Sequence, residues 1–248
     1  MERYCIISAD SHAALPSADY RAYLDPEYRE EFDRRLPQQI EMAKALEKFL
    51  TVDEVNAAWR APIQEEIRGC WDSDIRLRVM DADGVAAEVL FPDEATEQNT
   101  PPFGAGIGST TRGVDPELQW AGTRAHNRWM GEFCQEAPER RIGLACVLPF
   151  WDMNQALDEI RWARENGLKG ILLPHLWGEE PPYHHPRYDP LWAAAQDLAM
   201  PVHFHAGPSP WNEYFGSLEE GGWDIQGSAG ALISEVGIWV ARPLTFMI

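Results

Sequence analysis

Residues 141–177 read RIGLACVLPFWDMNQALDEIRWARENGLKGILLPHLW. The stretch opens on one nearly unbroken apolar run, RIGLACVLP, closes on another, GILLPHLW, and carries the helical period between them. Strands without in-out alternation suit a parallel sheet covered on both faces by helices. Asp152 stands where a helix cap is needed and Gly167 where the helix must stop, so the middle reads as one helix between two parallel strands. The same alternation extends both ways, with YCIISA (4–9), AAEVLF (86–91) and PVHFHAG (201–207) as further strands. Asp115-Pro116 and Asp189-Pro190 each place a capping Asp before a Pro at the first helical position. Five strand-helix units in series point to an α/β fold, either a doubly wound sheet or a (β/α)8 barrel.

With 248 residues, 45% of them hydrophobic and 25% charged, the chain suits a single barrel-type domain over 1–248. Lys and Arg total 21 against 40 Asp and Glu, and the net charge of -19 repels phosphate backbones and anionic lipid. Neither nucleic acid nor a membrane is an expected partner, and no run of about 18 apolar residues marks a membrane span. Cys5, Cys70, Cys134 and Cys146 form no CxxC pair and read as buried free thiols of a cytoplasmic protein. Between the first two strands lie two amphipathic stretches, about 26–49 and 62–80. The second reads as the first crossover helix. The segment at about 18–62 reads as a helical insertion, a lid or a packing element. GAGIGS (104–109) lacks the GK[ST] and the context of a phosphate loop.

In both candidate folds ligands bind at the carboxyl ends of the strands. Four of the seven histidines fall there: His12, His175, His203 and His205. Asp10 and His12 are two apart on a strand and share a face, so a carboxylate oxygen and an imidazole nitrogen can grip one divalent ion. His205 sits nearer its strand end than His203 and is the third candidate ligand. His175, Trp151, Trp177 and Trp211 follow strand ends and are candidates to contact a planar substrate. Asp93 reads as a loop cap, His126 as a helix-packing residue, and His184 and His185 as surface-loop residues. Lys169 precedes the fourth strand, at the wrong end to bridge two metals, which favours a mononuclear site.

At these residues the chain resembles the amidohydrolase-related family, in the branch similar to aminocarboxymuconate-semialdehyde decarboxylase and the resorcylate decarboxylases. The resemblance runs through ISADSHAALP (7–16), RLRVMDADGVAAEVLFP (76–92), HNRWMGEFCQEAPERRIGLACVLP (126–149), EIRWARENGLKGILLP (159–174) and YDPLWAAAQDLAMPVHFHAG (188–207). It implies a (β/α)8 barrel around one divalent ion, zinc or manganese with iron possible, held by Asp10, His12 and His205. Many members carry His-x-His on the first strand. Asp-x-His here is closer to the Glu-x-His of the resorcylate-type enzymes, and an oxygen in place of a nitrogen favours manganese or iron over zinc. The family's later-strand histidine and eighth-strand aspartate have no counterpart here, so no residue is assigned as the catalytic proton carrier. Residues 228–248 read as the helix after the fifth strand, and the expectation is a C-terminally truncated barrel, a fragment of a longer product.

The leading expectation is therefore a metal-dependent hydrolase acting on a small carboxylated or carbonyl substrate through activated water. A non-oxidative decarboxylase of an aromatic or dienoic acid is the alternative, and an inactive fragment or binding protein the second. The resemblance suggests a homodimer. A nicotinamide enzyme is excluded by ADSHAALPS (9–17), which carries no glycine fingerprint.

Overall fold

The computed structural model describes residues 4–50, 58, 63–92, 99–109, 114–175, 177–205, 241, 243–245 and 247. Strands β1 (Ile6–Ala13), β2 (Val85–Pro92), β3 (Arg141–Cys146), β4 (Gly170–Leu172) and β5 (Val202–His203) form one parallel sheet in the order β1-β2-β3-β4-β5. A doubly wound sheet reverses its strand order at a switch point. Here the order never reverses, so the strands follow one another as the successive staves of a barrel wall. The helices are α1 (Arg29–Leu50), α2 (Ser73–Asp83), α3 (Pro116–Gln135), α4 (Met153–Glu165) and α5 (Asp189–Asp197). Among the described residues, no helix is long and apolar enough to cross a membrane.

The punctuation read from sequence mostly holds. Asp115 accepts from the Glu117 and Leu118 amides at 3.0 and 3.4 Å, and Asp152 from the Asn154 and Gln155 amides at 2.8 and 3.4 Å. Gly167 turns the chain out of α4 at φ +88°, where a Cβ would be strained. Asp189 is not the cap it resembles. A 3-10 turn, Pro186–Tyr188, runs straight into α5, so Asp189 is already helical, and the cap side chain is that of His185, which accepts from the Arg187 amide at 3.2 Å. The fourth strand is shorter than its apolar run, ending before Pro174, which has no N–H to give a ladder. The first is displaced towards Ala13, so Asp10 and His12 lie within β1 and not after it.

Within the segment read as an insertion, α1 packs against the loop after β2. Phe32 of α1 is buried, with its ring 6.1 Å from Phe103, and Gln39 donates to the Thr100 and Pro101 carbonyls at 3.0 and 3.3 Å. That loop in turn holds the exit of β1: Asn99 donates to the Ala14 carbonyl at 2.9 Å, and the Thr100 amide to Ser17 Oγ at 3.0 Å. The core lies between sheet and helices, with Leu144, Ala145, Ile160, Ile171 and Leu191 fully buried. The thiols divide: Cys134 and Cys146 are buried, but Cys5 is exposed and Cys70 partly so, because one precedes an edge strand and the other ends a surface turn.

Candidate metal centre

The geometry of the centre begins with an irregularity in β1. Ser8 pairs with Glu88 and Ser11 with Leu90, so Ala9 and Asp10 together oppose the single residue Val89. This is a β-bulge, which re-aims side chains. Ser11 Oγ donates to Ser8 Oγ at 2.8 Å. Residues three apart on a regular strand face opposite ways, so this bond requires the extra residue. Beyond it Asp10 and His12 share a face, with Asp10 Oδ1 3.6 Å from His12 Nε2.

At the other edge, Phe204 packs its ring 5.4 Å from Tyr183, in the aromatic cluster of Phe150, Trp177, Tyr188 and Trp192. With Phe204 so anchored, His203 and His205 both turn towards Phe91, at ring separations of 6.0 and 5.0 Å. His203 Nδ1 lies 3.2 Å from the Pro201 carbonyl oxygen. His205 Nε2 instead lies 3.3 Å from Asp10 Oδ1, and its ring stands edge-on to His12 at 5.0 Å. Asp10, His12 and His205 each offer a ligand atom within 4.8 Å of the others. For metal–ligand bonds of about 2.0–2.2 Å, neighbouring donors stand roughly 3.0–3.6 Å apart, so the two contacts to Asp10 match one shared ion.

His12 is aimed by a partner the sequence does not reveal. Its Nδ1 lies 2.8 Å from the Pro92 carbonyl oxygen. A carbonyl can only accept, so Nδ1 carries the proton and the neutral ring leaves the Nε2 lone pair for a ligand. Phe91, the register partner of His12, closes the apolar side of the group. A Phe-Pro pair ending an apolar strand was visible in sequence, but nothing there said which carbonyl would face His12.

The other expected residues are not among the three converging side chains. His175 lies after β4 and is 2% exposed. Trp151 and Trp177 are half-buried, seated against Phe150 and Tyr183. His126 is fully buried on α3, with Nδ1 2.8 Å from the Tyr20 hydroxyl. Lys169 donates to the Arg141 carbonyl at 3.4 Å, where β3 begins, away from the three candidate ligands. Asp93, Trp211 and most of 228–248 lie outside the described residues.

Comparison with known proteins agrees with this architecture. Residues 9–239 match the amidohydrolase family. A curated relative, gamma-resorcylate decarboxylase of Rhodococcus jostii, is 28% identical over 178 residues, covering 68% of this chain and 49% of the relative. The chain thus spans about half the length of the curated relative it matches. Among solved structures, an amidohydrolase from Mycobacterium avium subsp. paratuberculosis superposes with a TM-score of 0.67 at 16% identity, covering 100% of this chain and 69% of that one. The 5-carboxyvanillate decarboxylase of Novosphingobium aromaticivorans, solved with manganese and 4-hydroxy-3-methoxy-5-nitrobenzoic acid, superposes with a TM-score of 0.60 at 21% identity, covering 97% and 59%. These two share the fold with a chain whose match runs through all five strands, from the Asp10 strand to His205 and beyond: the chain belongs to the amidohydrolase family.

Proposed function

We propose that the protein is a metal-dependent decarboxylase of a small aromatic or dienoic carboxylic acid, with Asp10, His12 and His205 as metal ligands. The observation that carries this reading is the convergence of those three side chains from opposite edges of the described sheet. Decarboxylation takes precedence over hydrolysis because the curated relative is a decarboxylase. The acidic first ligand points the same way, and it favours manganese, the ion held by the decarboxylase neighbour, over zinc.

When bound, the ion supplies Lewis acidity that anchors a carboxylate and its neighbouring oxygen. Asp10 contributes charge, since an anionic oxygen beside two neutral imidazoles leaves a divalent ion net positive towards an anionic substrate. His12 is held in one tautomer by the Pro92 carbonyl. Phe91, against both His12 and His205, presents an apolar wall on one side of the group. Trp151 and Trp177, half-buried after β3 and β4, are the proposed stacking surfaces, and the buried His175 is a further proposed substrate contact. The reaction breaks the bond from ring carbon to carboxyl carbon, releases carbon dioxide and puts a proton on that carbon.

The test is to load the chain with manganese, supply 2,6-dihydroxybenzoate and follow carbon dioxide together with the decarboxylated phenol. Stoichiometric release of both supports the reading. Cleavage of ester or lactone substrates with no carbon dioxide would replace it with the hydrolase. Metal content below about 0.1 equivalent after loading would favour a non-catalytic binding protein, because a competent site binds tightly.

A further inference from the structure

Arg76 projects from α2 to the back of β1. Its Nη1 donates to the His12 carbonyl oxygen at 2.9 Å and to the Gly69 carbonyl at 3.1 Å. Nε and Nη2 donate to the two carboxylate oxygens of Glu88 on β2, at 2.6 and 2.7 Å. The pair is deep, with side chains 11% and 4% exposed. It borders a cavity of about 290 Å³ that Ser8 and Ser11, the two serines flanking the bulge, also line. The ligand-bearing part of β1 therefore has open space behind it and a brace at His12.

Stability alone does not account for this choice of residues. A well-packed apolar pair generally serves a buried position as well as an ion pair does, because desolvation offsets the Coulomb attraction. What a guanidinium adds is direction: its donors are fixed in one plane, so with Nε and Nη2 committed to Glu88, Nη1 can point only one way. There its two N–H groups reach the carbonyls of His12 and Gly69. The ring of the same residue is fixed separately by Pro92. His12 is thus held at its main chain from α2 and at its ring from β2.

We propose that Arg76, locked by Glu88, is a positioning residue for the metal site, fixing the His12 main chain so that Nε2 stays beside Asp10 and His205. The inference rests on the metal reading above, and its test separates the two. Arg76→Met/Glu88→Leu removes both charges together, which spares the fold the uncompensated ion that a single deletion would leave. Arg76→Lys keeps the charge and loses the fork. Each is titrated with manganese, following free ion by electron paramagnetic resonance. The His12 ring tautomer is read from its imidazole nitrogen signals without metal, and far-UV circular dichroism reports the fold.

The expected result is a folded double variant with manganese affinity about 10- to 100-fold weaker and a His12 ring no longer held in one tautomer, Arg76→Lys falling between. An unchanged Kd with unchanged ring signals in a folded variant would overturn the proposal. If the unsubstituted chain takes up no manganese but the ring still loses its fixed tautomer in the double variant, the metal reading fails and the bracing of His12 stands. Should the double variant not fold, Arg76→Lys decides on the same two readouts.

Discussion

His12 donates its Nδ1 proton to the carbonyl oxygen of Pro92, at 2.8 Å, one residue beyond its own register partner Phe91. The strand that flanks His12 thus also sets its tautomer, and the proton on Nδ1 is what bares Nε2. The group needs both edges of the described sheet, because Asp10 Oδ1 meets His12 from β1 and His205 from beyond β5. Replacing either His12 or His205 with Ala leaves two of the three candidate donors among the described residues, a set that holds a divalent ion weakly against water. Both variants should lose metal affinity by more than about 100-fold and lose activity with it. Elemental analysis after loading checks this, and full occupancy in either variant would remove that residue from the ligand set.

His126 gives acid sensitivity of a definite sign. It is fully buried, and burial pushes its imidazole from the usual 6.5 down to about 3. The unfolded chain takes up this proton below about 6.5 and the folded chain does not, so stability is whole above 6.5 and falls as pH drops towards 3. The slope attributable to this one group approaches about 1.4 kcal/mol per pH unit. Urea unfolding at several pH values from 7 to 4 should show His126→Gln with a shallower dependence than the unsubstituted chain. Parallel curves would mean His126 is reached by protons in the folded state.

Gly122 tests the clamp on the β1 exit. A Cβ there would lie 2.0 Å from the Pro102 carbonyl oxygen, a main-chain atom that cannot swing aside as a flexible side chain does. Helix propensity alone favours Ala over Gly by about 1 kcal/mol. Steric displacement of the loop should reverse that sign, leaving Gly122→Ala less stable by about 1–3 kcal/mol in urea unfolding. A stabilised variant would show that the loop does not sit against α3 as described.

The sequence made the architecture legible because its signals were local. Asp115, Asp152 and Gly167 act on amides within a few residues of themselves, and an unbroken apolar strand requires cover on both faces wherever it lies. That Asp10 and His12 share a face was legible for the same reason. The approach of His205 to either depends on nearly 200 residues of intervening chain closing correctly; its strand-end position made it a candidate, and the resemblance to a family added the pairing. Asp189 misled because the same Asp-Pro signal serves both as a cap and as the first turn of a helix already begun by a 3-10 turn. The bulge at Ala9 and Asp10, the Pro92 acceptor and the Arg76 brace were not legible, since each is a relation between β1 and a partner set by register and not by spacing.

Asp10 is the proposed ligand through which metal choice should be adjustable. It is the one oxygen among the three donors, and its side chain is 68% exposed, so a replacement there meets little packing resistance. Asp10→His would make the set all-nitrogen, which suits zinc, and would remove the negative charge that manganese, the harder ion, favours. Competitive loading with equal manganese and zinc, followed by elemental analysis, should show the zinc-to-manganese ratio rising by about tenfold or more over the unsubstituted chain. The charge argument adds a second consequence: three neutral ligands leave the bound ion more positive, so binding of an anionic substrate should tighten while release slows. An unaltered metal ratio would mean that Asp10 stands beside the ion and not on it, and that the third donor must be sought outside the described residues.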